Sequence, residues 1–230
     1  MIRRVVRTAV RGLGVGCATG VELLALSVWL GLSDDAELTL ADGIGLSLAD
    51  LVGVAALAAG LLLAGLLTHL VVNGRRYPVP AAAVGALVVA ETAVWVGWLA
   101  VAEWLGGVLG VVLAGVVLAG GLLVLATVTD SVLRGREPLA TLVGRNHGAL
   151  AVVETVGATA WLLVVSGLVA VPDWFFSVPV AGFEPRAVVG AALLGAALFA
   201  QRLLAVRLAM RTARRRVAVG WRSSQGTVRE

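Results

Sequence analysis

The chain has 230 residues and a mean hydropathy of +0.99, with 60% hydrophobic and only 14% charged residues. This balance excludes a soluble globular domain, because too few charged side chains remain to cover its surface. All eighteen basic residues are arginine. They lie between apolar runs, so the basic character of the chain does not indicate nucleic-acid binding.

Six apolar runs follow one another along the chain, at 12–32, 44–72, 79–102, 106–128, 149–171 and 187–207. Each reaches the roughly 20 residues that a helix needs to cross a bilayer core about 30 Å thick. Backbone groups in lipid must be paired within their own segment, which favours helices. The first run contains Glu22 and is too long for a signal-peptide core, so we expect a retained helix.

The positions of the arginines predict the orientation of the chain in the membrane. The arginines precede the first run and lie in the second and fourth connections and the tail, for example Arg3, Arg4, Arg75, Arg76, Arg134, Arg136 and Arg214–Arg216. The alternate connections carry acids instead, with Arg186 as the exception. The positive-inside rule therefore predicts that both termini are cytoplasmic. The richness in Ala, Val, Gly, Leu and Arg is typical of a GC-rich prokaryotic genome, so we expect a prokaryotic plasma-membrane protein.

An internal repeat links the odd-numbered runs. The segment 85–99 matches 148–162 at eight of fifteen positions without a gap, and both contain a Glu followed seven residues later by a Trp. The first run has Gly16, Glu22, Trp29 and Leu30 at the same offsets. This pattern predicts three copies of a two-helix hairpin, at 1–76, 77–136 and 137–216, with a cytoplasmic tail at 217–230.

The even-numbered runs share small residues at intervals of five. These are Ala55, Gly60 and Gly65, then Gly110, Gly115 and Gly120, then Gly190, Gly195 and Ala200. Small residues let helix backbones approach closely in lipid. Each hairpin begins and ends on the same side, so the copies are parallel and predict a bundle with pseudo-threefold symmetry.

Glu22, Glu91 and Glu154 are the candidate functional residues. An ionised carboxylate near the membrane midplane is costly, so such residues usually face the bundle interior and mark a functional site. If the three converge, a proton or a cation would relieve their repulsion. The alternative is a protonated Glu that fixes helix packing by a hydrogen bond, for which Thr92 and Thr155 lie close by in sequence.

Trp29, Trp98 and Trp161 lie two helical turns from each Glu and on the same helix face. One hypothesis is an aromatic layer that holds an organic cation through its ring faces. The other, which we favour for Trp29 and Trp98, is an aromatic belt at the membrane interface, together with Trp95 and Trp104.

Other polar residues give no signature of catalysis. His69 and His147 have no metal-ligand spacing, and the single cysteine, Cys17, cannot form an intramolecular disulfide. Arg202 is expected to extend to the headgroups, with pairing to a Glu as the alternative. Nucleophile, phosphate-loop and cofactor motifs do not occur in the sequence.

The sequence thus predicts an all-α polytopic membrane protein with six transmembrane helices in three parallel two-helix repeats. We expect no enzyme activity, no cofactor and no metal site. The favoured function is a proton- or cation-binding transporter or channel-like protein that uses the three glutamates. The alternative is a membrane scaffold or accessory subunit in which they serve packing, with a membrane-protein partner or a second copy of the chain as its partner.

Overall fold

The computed structural model of the chain describes residues 2–34, 48–73, 81–134, 145–169, 172 and 185–226. These residues form six helices: α1 (Ile2–Asp34), α2 (Leu48–Asn73), α3 (Ala81–Leu105), α4 (Gly107–Arg134), α5 (Arg145–Val165) and α6 (Pro185–Gly226). Each contains a segment long and apolar enough to cross a membrane. The prediction of six helices of membrane-spanning length and composition is therefore confirmed.

The last helix is longer than the sixth apolar run, because α6 continues past residue 207 to Gly226. Alanine and arginine are abundant in this extension, and both have a high helix propensity. The segment from 217 to 226, predicted as a tail, is therefore helical in backbone.

The helices form a ring in chain order. Each helix packs against the next, and α6 closes the ring by contacting α1 and, to a smaller extent, α2. The most extensive contacts lie within the pairs α1–α2, α3–α4 and α5–α6. A single core of buried apolar residues draws on all six helices, including Leu26, Leu61, Trp98, Leu118, Ala158 and Leu198.

Every helix exposes large apolar side chains on its outward surface. Exposed large side chains include Leu24, Leu63, Val89, Val112, Val156 and Leu193, one from each helix in turn. Soluble monomers rarely expose contiguous apolar surface of this extent, whereas lipid solvates it. The exposed surface thus agrees with the length of the helices in indicating a membrane protein.

Small residues mark the closest approaches of neighbouring helices. A Cβ built on Gly60 would overlap Ala25 of α1, and one built on Gly157 would overlap Ala197 of α6. A Cβ on Gly110 would lie 2.7 Å from the carbonyl oxygen of Ala102. By contrast, Gly65 and Gly120 have no such neighbour within 4 Å. The predicted close packing therefore holds for some of the glycines and not for others.

A tight turn joins α3 to α4. Gly106 and Gly107 have φ angles of +62° and +55°, and the Gly106 N–H donates to the carbonyl of Ala102 over 3.0 Å. Residues with a Cβ adopt this left-handed region only at a cost. Two adjacent glycines therefore allow the chain to reverse almost without a connecting loop.

Candidate functional site

The carboxylates of Glu22, Glu91 and Glu154 meet inside the ring. One oxygen from each lies within 4.8 Å of the other two. Glu22 and Glu154 are buried, with 2% and 4% of their surface exposed, and Glu91 is partly buried. We call these three residues the glutamate cluster. The sequence hypothesis that the three acids converge is consistent with this geometry.

Close helix packing holds each glutamate in place. Three residues after each Glu, the helix meets a small residue of the helix that follows it in the chain. Ala25 contacts Gly60, Val94 contacts Gly121, and Gly157 contacts Ala197. Residues three apart lie on neighbouring positions of one helix face, so each carboxylate stands one turn from a tight contact.

Arg202 of α6 binds the cluster directly. Its Nε donates a hydrogen bond to Glu22 Oε2 over 3.0 Å, and its Nη2 pairs with the same oxygen. Its Nη1 donates to Thr68 Oγ1 and to the carbonyl of Ala64, both on α2. The side chain is only 11% exposed. The expectation that Arg202 extends to the headgroups is therefore wrong, and the alternative pairing with a Glu is correct.

Gln201, the residue before Arg202, binds a second member of the cluster. Its amide Nε2 donates to Glu154 Oε2 over 2.8 Å. Two consecutive polar residues of α6 thus reach α1, α2 and α5. Sequence reasoning missed Gln201 and Thr68. The signal available was the pair Gln201-Arg202 within an otherwise apolar span, because polar residues there usually have partners.

The charges of the cluster do not balance among the described residues. Arg202 contributes one positive charge, and three ionised carboxylates would contribute three negative ones. Two carboxylate charges at 4.8 Å repel by roughly 3 to 4 kcal/mol at an effective dielectric constant of about 20. Ionisation of all three acids would therefore leave two uncompensated negative charges among the described residues. Protonation or a cation would relieve this repulsion, and oxygen ligands of this kind suit hard cations.

The tryptophans that follow the glutamates in sequence lie in or against the buried core. Trp95 and Trp98 are completely buried, and Trp29 is 3% exposed. The rings of Trp95 and Trp98 meet edge to face with centroids 5.5 Å apart, and Trp98 and Trp161 lie 5.9 Å apart. The interfacial belt favoured for Trp29 and Trp98, together with Trp95, is therefore wrong, because a belt requires rings at the lipid surface. Trp104, which is 76% exposed, is in a position suited to one.

The other polar candidates from the sequence are two histidines and two threonines. His69 and His147 lie among residues whose side chains the structure does not describe. Thr92 donates its hydroxyl to the carbonyl of Val88 within its own helix. Thr155 has a buried hydroxyl without a partner among the described residues. Among the described residues, neither threonine hydroxyl makes the helix-to-helix hydrogen bond that would have supported the packing hypothesis.

The fold and the site together define a polytopic membrane protein with a buried acidic cluster. Its chain matches no protein-family model, curated protein or solved structure at a significant level.

Proposed function

We propose that this protein binds protons or a cation at the glutamate cluster and conducts or transports them across the membrane. The observation that carries the proposal is the convergence of three carboxylate oxygens within 4.8 Å beside a single arginine. A site with excess negative charge inside a membrane attracts positive species. The proposed setting is a prokaryotic plasma membrane with both termini cytoplasmic, as the arginine distribution predicts.

Glu91 is the member of the cluster best suited to exchange. Arg202 binds Glu22 and Gln201 binds Glu154. Among the described residues, no hydrogen bond of the cluster involves Glu91, and Glu91 is also the least buried of the three acids. Its carboxylate can therefore gain or lose a proton or cation without first breaking a hydrogen bond to the protein.

The test uses purified protein in liposomes that contain a pH-sensitive dye, with a membrane potential imposed by a potassium gradient. The key variant is Glu91→Gln/Glu154→Gln, which removes the two carboxylates that Arg202 does not bind and preserves the Arg202–Glu22 pair. The matched control is Glu103→Gln, which alters an exposed acid at the end of α3. We expect the double variant to lose at least ten-fold in proton or cation flux and the control to retain it.

A packing role for the cluster is the second candidate. The observation that favours it is the pair Gln201 and Arg202, which ties α6 to α1, α2 and α5. In that case the native protein shows no flux of protons or of sodium or calcium ions, and the double variant only lowers the resistance to unfolding. Equal flux in the native protein and in the folded double variant would equally contradict the proposed transport role of the carboxylates.

A further inference from the structure

Four buried polar atoms without hydrogen-bond partners lie on the helices that carry the glutamate cluster. Among the described residues, these atoms are Thr19 Oγ1, Trp95 Nε1, Trp98 Nε1 and Thr155 Oγ1. Each lies within seven residues of a cluster glutamate on the same helix. All four residues therefore lie on the helices that carry the cluster, within about two turns of a cluster glutamate.

Helix geometry places most of these atoms on the glutamate face. Thr19 precedes Glu22 by three residues, and Trp95 and Trp98 follow Glu91 by four and by seven. These intervals correspond to one or two turns, so the side chains share a face with their Glu. Thr19 is 6% exposed, and both indoles are fully buried.

Unpaired buried donors of this kind usually bind ordered water. Leaving a buried N–H or O–H without a partner carries the full cost of its desolvation, and native proteins rarely accept this. Buried waters typically bind such groups and make about three hydrogen bonds each. The indole nitrogens of Trp95 and Trp98 and the carboxylate of Glu91 thus offer donors and an acceptor for water on one face of α3.

The chemistry of the groups around the carboxylates favours a proton over a metal cation as the bound species. Arginine guanidinium, glutamine amide and indole nitrogens present N–H donors, and none of these N–H groups can coordinate a metal. Calcium requires six to eight oxygen ligands, and magnesium requires near-octahedral oxygen geometry. The glutamate cluster is instead contacted by the N–H donors of Gln201 and of the positively charged Arg202. A metal ion would need further oxygen ligands in these positions.

We infer that the species bound and conducted by the glutamate cluster is the proton, carried by ordered water that the indole N–H groups of Trp95 and Trp98 hold beside the carboxylates. The inference rests on the proposed function. A hydronium ion gives its proton to a carboxylate oxygen and becomes water. The resulting acid then releases a proton to water on the other side, and the carboxylate is restored. The indoles keep their protons throughout and act as positioning residues.

The flux experiment compares Trp95→Phe and Trp98→Phe with Trp104→Phe in the same liposomes. The first two remove a buried donor and keep an aromatic ring, whereas Trp104 is exposed. We expect native proton flux to persist when sodium and calcium are absent and a chelator is present. We expect Trp95→Phe and Trp98→Phe to reduce it at least five-fold and Trp104→Phe to leave it unchanged.

The outcomes distinguish this inference from the proposed function. Flux of sodium or calcium that depends on Glu91 and Glu154, without proton flux, would overturn the inference and preserve the proposed function. No flux of any of these ions in the native protein would overturn both. Proton flux that is unchanged in folded Trp95→Phe and Trp98→Phe would overturn the role of the indoles.

A measurement on the native protein tests the inference even if the tryptophan variants fail to fold. Brief X-ray irradiation generates hydroxyl radicals from water, so it oxidises buried side chains that lie next to internal water. Trp29 is an internal control, because it is buried but is not among the residues with an unpaired indole nitrogen. We expect at least three-fold faster oxidation of Trp95 and Trp98 than of Trp29, and equal rates would contradict the presence of water there.

Discussion

Arg202 decides how three acidic side chains can share one buried site. It supplies a positive charge to Glu22 and also donates to Thr68 and Ala64 on α2. A buried carboxylate that loses its charged partner remains as an uncompensated charge, whereas removing both partners leaves none. The arginine thereby pairs with one of the three acids and leaves the other two without a charged partner among the described residues.

Replacing Arg202 by glutamine should destabilise the protein by about 3 to 5 kcal/mol, since it breaks a buried pair from one side. The double variant Glu22→Gln/Arg202→Gln should recover more than half of this loss, because neither charge then remains. Unfolding of the detergent-solubilised protein by sodium dodecyl sulfate, followed by circular dichroism, measures both. Arg207→Gln, which changes an exposed arginine five residues further along α6, is the control and should have little effect.

Equal stability losses for Arg202→Gln and for the double variant would contradict this account. That result would mean that the guanidinium stabilises the fold through Thr68 and Ala64 and not through its charge. The thermodynamic cycle of the two single variants and the double variant isolates the pairwise interaction.

The helix pairs depend on the small residues one turn from each glutamate. Gly60→Ala should destabilise α1–α2 by about 1 to 3 kcal/mol, because the new methyl group overlaps that of Ala25. The exchange Ala25→Gly/Gly60→Ala moves the methyl group across the interface and should restore at least half of the loss. Resistance to unfolding in detergent is the measurement.

Gly65→Ala is the matched control for this exchange, because it lies on the same helix with no neighbour within 4 Å of the added atom. We expect it to be neutral or slightly stabilising, as alanine favours helix over glycine by up to about 1 kcal/mol. If Gly60→Ala changes the stability no more than Gly65→Ala does, α1 and α2 do not approach each other closely at Ala25.

The turn between α3 and α4 provides a second test at this scale. Gly106→Ala and Gly107→Ala should each cost about 1 to 2 kcal/mol, since both glycines adopt positive φ angles that alanine disfavours. The space around both is open, so the cost is one of backbone conformation and not of overlap. Gly85→Ala is the control, because it lies within α3, also in open space, and has no positive φ. A loss for Gly85→Ala as large as for the turn glycines would contradict the conformational explanation.

For the whole molecule, length and hydropathy sufficed to predict the six helices, because lipid imposes a minimum length on a helix and excludes unpaired backbone. The repeat allowed the hypothesis that Glu22, Glu91 and Glu154 meet in space, since their matching offsets give them comparable depths in the membrane. The faces of the helices could not be assigned. Apolar residues occur on every face of each helix, so no signal in the sequence indicated that Trp29 and Trp98 face the core and not the lipid.

Arg202 of α6 shows a second reason why the sequence could not predict the whole site. Whether Arg202 extends to the headgroups or turns inward depends on whether an acceptor stands within reach. That acceptor is Glu22, which is 180 residues away in the chain. Only the ring closure of α6 onto α1 brings them together, and no local pattern encodes that contact.

The orientation of the ring is predicted by the arginines and is open to direct measurement. The turn at Gly106 follows three spans and the tail follows six, so the two should lie on opposite sides of the membrane. In a Cys17→Ser background, which removes the single native cysteine, Glu103→Cys and Thr227→Cys each introduce one labelling site. On intact cells, a membrane-impermeant maleimide should label the variant at 103 and should label the variant at 227 only after permeabilisation. The reverse pattern would overturn the orientation while preserving the number of spans. Labelling of both from the same side would overturn the number of spans between them, because an odd number of crossings must separate two positions on opposite sides.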